Sequence, residues 1–528
     1  MNQFNSPPNV ANTPIPVSRR SAALGLTTLL AVGGQAEAAP TGPPSSGQLT
    51  IGVHVTLTPR WFDPADTEGI VTPYMFLYAL HDALVKAMPD GMLTPSLAKS
   101  WSVAPDGLSY DFVLRENIHF HNGDPVTAED VKFSFTRYRG TAATDMKNRV
   151  AEIEIPAPGL VRFRLKEPWP DFLTYYSNAT GAGWIVPKAY IEKAGEDGFR
   201  KAPIGAGPYR FVSFTPGVEL TLAANDRFWR KTPAIERIVL TGIPDESTRL
   251  AALRRGEIDI AYQITGELAR GLLKTPGFAI DAAIGSTPFW LYFPDQWDPK
   301  SPWHDVRVRR AAAFAIDYDG LNQAVTLGFS HITGSIFPEN FEFFKPMPKP
   351  IHDTARAKQL LAEAGYPGGF DAGFFTCDAS FSNIGEIVLD GLVSAGIRAK
   401  LRPLERAAFF KGYADKRFKD VVMAASGALG NVPIRMQQFV VKGGTYAYGG
   451  YPEIDALFPS QATERDTAKR TAILHKMQDM LHERAMFAPI WQIAATVGVG
   501  PRVGNAGLGR IKGYPWTGPY EDLTLKGK

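Results

Sequence analysis

The chain has 528 residues, 45% of them hydrophobic, and a net charge of +3; such a length exceeds what one hydrophobic core supports and calls for two or three domains. So small an excess of charge leaves no electrostatic footprint for nucleic acid or for an anionic membrane surface. The one cysteine, Cys377, excludes a disulfide framework.

Residues 1–38 read as a signal peptide. Arg19 and Arg20 precede the apolar stretch Ala22 to Val32, and Ala36-Glu37-Ala38 offers small residues to a signal peptidase. Ser18-Arg19-Arg20 points to the twin-arginine route, while Ala22 and Ala23, in place of larger residues, keep the general secretory route open. The apolar stretch falls short of the ~20 residues a membrane-spanning helix needs, and no cysteine stands at the cleavage site to carry a lipid. A free periplasmic protein is expected, with Thr41 to Gly47 as a flexible leader.

A strand is expected near Leu49 to Leu57, then Trp61-Phe62-Asp63-Pro64, then a helix over Pro73 to Leu84. From Pro95 to Arg137 the pattern is dense. Tyr110, Phe112 and Leu114 alternate with polar neighbours, and Ile118 and Phe120 alternate with His119 and His121, the period of strands buried on one face. Asn122-Gly123 supplies a tight turn. Thr127, followed by Glu129 and Asp130, starts a helix whose apolar stripe is Val131, Phe135 and Tyr138. Ile153 to Leu165 reads as a hairpin around Pro156-Ala157-Pro158-Gly159.

Further on come Gly205 to Phe211, Asn225 to Trp229, and a helix from Glu246 to Arg255 that ends at Gly256. Trp303 to Arg310 leads into an alanine-rich helix, Asp353 caps another that carries Leu360, Leu361 and Ala364, and a long helix spans Asp466 to Glu483. Strands and helices alternate irregularly with no fixed repeat, which favours an α/β fold.

Fragments that imitate catalytic motifs fail on inspection. His482-Glu483 lacks a second histidine at Met486. Gly205-Ala206-Gly207 lacks the third glycine of a dinucleotide loop, and no Gly-x-Ser-x-Gly elbow occurs. His119 and His121 read as a solvated strand face. No catalytic residue, metal site or cofactor is expected. Aromatic density in Phe289, Trp290, Tyr292, Phe293, Trp297, Trp303, Tyr446, Tyr448 and Tyr451 suits a pocket wall, with Trp290 and Tyr446 the candidates to face a ligand.

Five blocks stand in order: Pro95 to Arg137, Gly205 to Tyr209 with Asn225 to Trp229, Ala252 to Asp259, Asp305 to Ala311, and Ala357 to Pro367. Together they resemble the extracytoplasmic solute-binding proteins of the peptide/opine/nickel ABC importer family, family 5. The resemblance implies a bilobal type II periplasmic binding protein with an extra third domain. Residues 39–83, 203–284 and 491–528 would form a discontinuous first lobe, 84–202 the extra domain and 285–490 the second lobe. A monomer is implied that holds its ligand between the lobes and delivers it to an inner-membrane permease and ATPase complex. Peptide is the default ligand, with an opine, amino-acid conjugate, glycoside or chelated metal as the alternative. A secreted hydrolase is the rival class, and the missing nucleophile and metal motifs argue against it.

The resemblance also marks residues. Glu68-Gly69-Ile70 matches an acidic-glycine-aliphatic step that faces the ligand. Gly427 to Pro433 stands where peptide-binding members carry a tryptophan and an aspartate that pairs with the peptide's amino group. Here the tryptophan is Ala428 and the aspartate is Asn431, so capture of a free amine by that means is not expected. Arg435, just beyond, could attract an anion instead.

Overall fold

The computed structural model describes residues 46–66, 73–140, 142–177, 180–427 and 430–527. The export segment, Glu68, Gly69 and Ala428 lie outside the described residues.

One mixed sheet organises the chain. Its strands follow the order Tyr209–Thr215, Glu219–Ala224, Arg237–Gly242, Gln48–Val53, Ile260–Tyr262, Phe487–Val499, Ala279–Tyr292, Val421–Ala425, Phe370–Asp378 and Ile397–Leu404, with His331–Ile332 paired to the side. Gln48–Val53 runs parallel to both of its neighbours, and its apolar residues Leu49, Ile51 and Val53 are almost wholly buried, against the all-apolar helix Tyr74–Leu80. Phe370–Asp378 likewise runs parallel to both of its neighbours.

Among the described residues, only Ala279–Tyr292 and Phe487–Val499 run through both halves of this sheet. Their antiparallel register holds from Ala279 opposite Val499 to Ile284 opposite Ala494, breaks, and resumes at Pro288 opposite Gln492. Gly285 sits in the break, accepts a hydrogen bond from Gln492 Nε2 at 3.1 Å and bridges to Gly513. Beyond the break the second half has cores on its two sides, one around Phe289, Leu291 and Phe375 and the other around Trp290, Tyr292 and Phe439.

A separate four-stranded antiparallel sheet, in the order Ala98–Val103, Ser109–Leu114, Leu160–Leu165, Val150–Ala157, has a core of its own with Phe112, Val131, Phe135 and Phe163. Helix Ala128–Arg137 packs there as its stripe predicts. Its Thr127 hydroxyl accepts from the Asp130 amide while the Asp130 carboxylate accepts from the Thr127 amide, a reciprocal cap. This unit is pinned to the first half of the large sheet by Arg137, which is buried and donates to both oxygens of Asp63 at 2.7 and 2.5 Å and to Glu196.

Two local expectations are corrected. The helix stops at Leu80, because His81 turns extended and Asp82–Ala83 pairs with Trp184–Ile185. Ile118 to His121 forms no strand beyond an isolated bridge between His119 and Pro125.

Candidate functional site

The loop after strand Val421–Ala425 and the helix Val432–Phe439 that follows it form one wall of the candidate site. Asn431 caps this helix, its Oδ1 accepting from the Ile434 amide at 3.2 Å. Its Nδ2 donates to Asp171 Oδ1 at 2.6 Å, across to the four-stranded unit. Arg470 Nη2 donates to the other oxygen of Asp171 at 2.7 Å. Ile434 is seated in the core of the four-stranded unit. Gly430 is in the left-handed region with φ 45°, where a side chain would meet the Thr174 methyl at 2.1 Å. Beside this junction Glu342 is held above the ordinary carboxylate range, first by burial and then by the charge of Asp171.

Asn431 is therefore wholly buried in a contact between two parts of the chain. The loop itself carries no carboxylate, and folding brings one against it: Asp171 meets Asn431 from 260 positions away. That carboxylate is already engaged by Arg470.

Arg435 lies one turn further along, 2% exposed. Nη1 donates to the Ile336 carbonyl and Nη2 to the Ser426 carbonyl, both at 3.1 Å. The guanidinium lies 5.5 to 5.7 Å from the rings of Phe341, Phe439 and Trp290. Burial alone brings its pKa down to about 9. Trp290 is wholly buried, edge-on to Phe439 and Phe487, so it stands behind Arg435 with no face open to solvent. Tyr446 is half-buried and stacks on Phe439 with centroids 4.8 Å apart.

In the first half, His54 follows strand Gln48–Val53 and lies 4.4 Å from the Trp516 ring, centroid to centroid. Neither His54 Nδ1 nor Trp516 Nε1 makes a hydrogen bond. Burial, aided by the Arg249 charge, lowers the His54 pKa to about 4. The C-terminal end of a central parallel strand is where open α/β sheets hold ligands, yet no local pattern around His54 marks it. Asp171 and Arg470 carry no local signal either, since their partners come from distant segments.

The histidine pair separates. His119 is exposed, with Nδ1 bonded to the Asn117 carbonyl. His121 turns inward, with Nε2 donating to the Gly207 carbonyl and Nδ1 accepting from the Gly205 amide. The reading of both as a solvated face is corrected for His121. Among the described residues no three His, Cys, Asp or Glu side chains gather closely enough to hold a metal ion.

Residues 92–446 match the family model for bacterial extracellular solute-binding proteins, family 5. The chain is 27% identical over 482 residues to a protein named probable di/tripeptide-binding protein 5 of Pseudomonas aeruginosa, covering 84% of this chain and 90% of that relative. It is also similar to the crystal structure of NikA from Brucella suis in complex with Fe(III)-EDTA, with a TM-score of 0.79, 25% identity, and 91% of this chain and all of that one covered. A third likeness is to the periplasmic binding protein DppA from Helicobacter pylori in complex with the peptide STSA, with a TM-score of 0.71, 25% identity, and 91% and 98% of the two chains covered.

Proposed function

The chain belongs to the bacterial extracellular solute-binding proteins of family 5, and from that premise we propose that it captures a peptide or peptide-sized solute between two lobes and delivers it to an ABC permease, without turnover. The lobes take the boundaries given above, residues 39–83, 203–284 and 491–528 for the first, 84–202 for the extra domain and 285–490 for the second. The observation that carries this reading is the pair of crossing strands with a register break at Gly285. Two strands whose register breaks between Ile284 and Pro288 and shifts again between Phe289 and Trp290 form a hinge, and hinge closure over a ligand lets a permease tell loaded from empty protein.

Small-angle scattering of the ligand-free protein and of the protein saturated with a hit from a peptide library tests it. A smaller radius of gyration in the complex is expected. An unchanged profile at saturation removes the closing cleft.

Within the same reading, Glu68, Gly69 and Tyr446 are ligand-facing candidates, while Asn431, Arg435 and Trp290, which the sequence also puts forward, are buried and support that surface from behind. A non-peptide solute is the second reading, favoured by the engagement of Asn431 with Asp171 in place of a free carboxylate. Export by the twin-arginine route completes the proposal, on the strength of Arg19 and Arg20. Replacing both with lysine should stop periplasmic accumulation, and normal accumulation of that variant would leave the general secretory route.

A further inference from the structure

A cavity of about 300 Å³ opens between helix Val306–Phe314, the end of helix Thr467–Glu483 and the start of strand Phe487–Val499. It shares no residue with the ligand-facing candidates above. Its floor is apolar, built from Ala313, Phe314, Ala485, Phe487, Ala488 and Pro489. Gly334, His482, Phe487 and Pro489 also line a smaller recess of about 30 Å³ beside it, which Ile336 and Leu481 help to close.

The remaining wall is a strap that its sequence makes stiff. Residues 344–353 form no helix or strand, and Pro346, Pro348 and Pro350 alternate along them, which restricts the backbone and removes amide donors. The Lys345 amide donates to Gln478 Oε1 at 3.1 Å and the Asp353 amide to the Phe314 carbonyl at 2.8 Å, so both ends are pinned. Between them the strap passes Gly334, where a Cβ would lie 2.1 Å from the Pro348 carbonyl oxygen. A wall held in this way keeps the cavity open without a ligand, and binding then costs little ordering. Ile351 on the strap is 66% exposed, more than any other large apolar side chain among the described residues. Beside an apolar cavity it extends the surface that a ligand would cover.

The rim carries charge of one sign. Arg310, Lys349 and His482 are exposed and line the cavity, and no aspartate or glutamate lines it. Arg310 donates to the Glu483 carbonyl at 2.8 Å. Among the described residues no carboxylate pairs with Arg310, Lys349 or His482. Asp353, the acid next along the strap, is turned to its own helix, with Oδ1 accepting from the Arg356 amide at 2.8 Å.

We infer that this cavity is a second ligand site, separate from the cleft, for a medium-chain alkyl carboxylate. The chain lies along Phe314, Phe487 and Pro489, and the carboxylate meets Arg310 and Lys349 at the rim. The apolar floor favours the chain by the water it releases, and a rim of one sign selects the charge of the head. The small recess takes the end of a slim chain and is too small for a ring. A volume of about 300 Å³ stands at the lower end of small-molecule sites, about 300–1,000 Å³.

Calorimetry on the mature protein with octanoate, 1-octanol, octylammonium and acetate tests it. Octanoate should bind about 10-fold more tightly than octanol, the worth of two partly exposed charge-assisted contacts. Octylammonium should bind more weakly than octanol, and acetate should give no heat. Arg310→Gln combined with Lys349→Gln should remove the preference for octanoate and leave octanol binding unchanged. Ala313→Phe, which fills the cavity, should abolish binding of both. Should Ala313→Phe fail to fold, the double variant, at two exposed positions, still decides. Octylammonium binding as tightly as octanoate, octanoate binding untouched by the double variant, or no binding of octanoate overturns the inference. Each of these results leaves the proposed cleft function standing.

Discussion

His81 shows how one buried side chain can tie stability to pH. The ring is wholly buried, its Nε2 donates to the Phe62 carbonyl at 2.9 Å, and its Nδ1 has no partner. Burial chiefly, with a smaller push from Arg137 against the pull of the Phe62 carbonyl, lowers its pKa from 6.5 to about 4. A histidine whose folded pKa is depressed stabilises the fold above its unfolded value and loses that contribution as the pH falls from 6.5 toward 4. The stake is on the order of 3 kcal/mol, from about 1.4 kcal/mol per unit. Thermal melts should therefore drop between pH 7 and pH 4.5, and His81→Gln, which cannot charge, should flatten the drop while lowering the melt at pH 7. An identical pH profile in the variant would remove His81 from the account. His54, lowered likewise to about 4, should leave a residual slope.

At the scale of elements, the segment Gly205-Ala206-Gly207 is a seam rather than a loop for phosphate. A Cβ on Gly205 would lie 2.0 Å from the Leu80 carbonyl oxygen, and one on Gly207 would lie 2.5 Å from that of Ala79. Both glycines let the chain pass against the end of helix Tyr74–Leu80, where backbone cannot give way as a side chain would. Gly205→Ala should cost about 1–3 kcal/mol, the range for overpacking. Gly368→Ala, with nothing within 4 Å of its Cβ, should cost far less, and equal melting temperatures of the two variants would sink the seam. Most elements were legible because their signals are local: the Thr127 cap, the hairpin around Pro158-Gly159, the Asp353 cap that accepts from the Arg356 amide, and the left-handed Gly256 after helix Glu246–Arg255. Ile118 to His121 misled because alternation marks burial on one face, and a loop fixed by His121 on Gly205 and Gly207 produces the same alternation.

Across the whole molecule, the sequence by itself determined the α/β class, most element boundaries and the ordered blocks that mark the family, since caps, turns and apolar periodicity act within a few residues of one another. It also put Asn431 and Arg435 forward as a place where charge matters. Only the tertiary structure decided what that charge meets. Asp171 and Arg470 are 299 residues apart, and Asp171 and Asn431 260 apart, before folding makes them a single buried cluster. For the same reason Asn431→Asp, which sequence alone would favour as an amine anchor, sets a second carboxylate against Asp171 and loosens the junction instead. Trp290 looked like a pocket wall because tryptophan suits both a core and a cleft. Its place in the layer behind Arg435 follows from the pairing of Ala279–Tyr292 between Val421–Ala425 and Phe487–Val499. Pairing across such distances depends on shape and solvent exclusion over the whole sheet, which no stretch of neighbouring residues encodes.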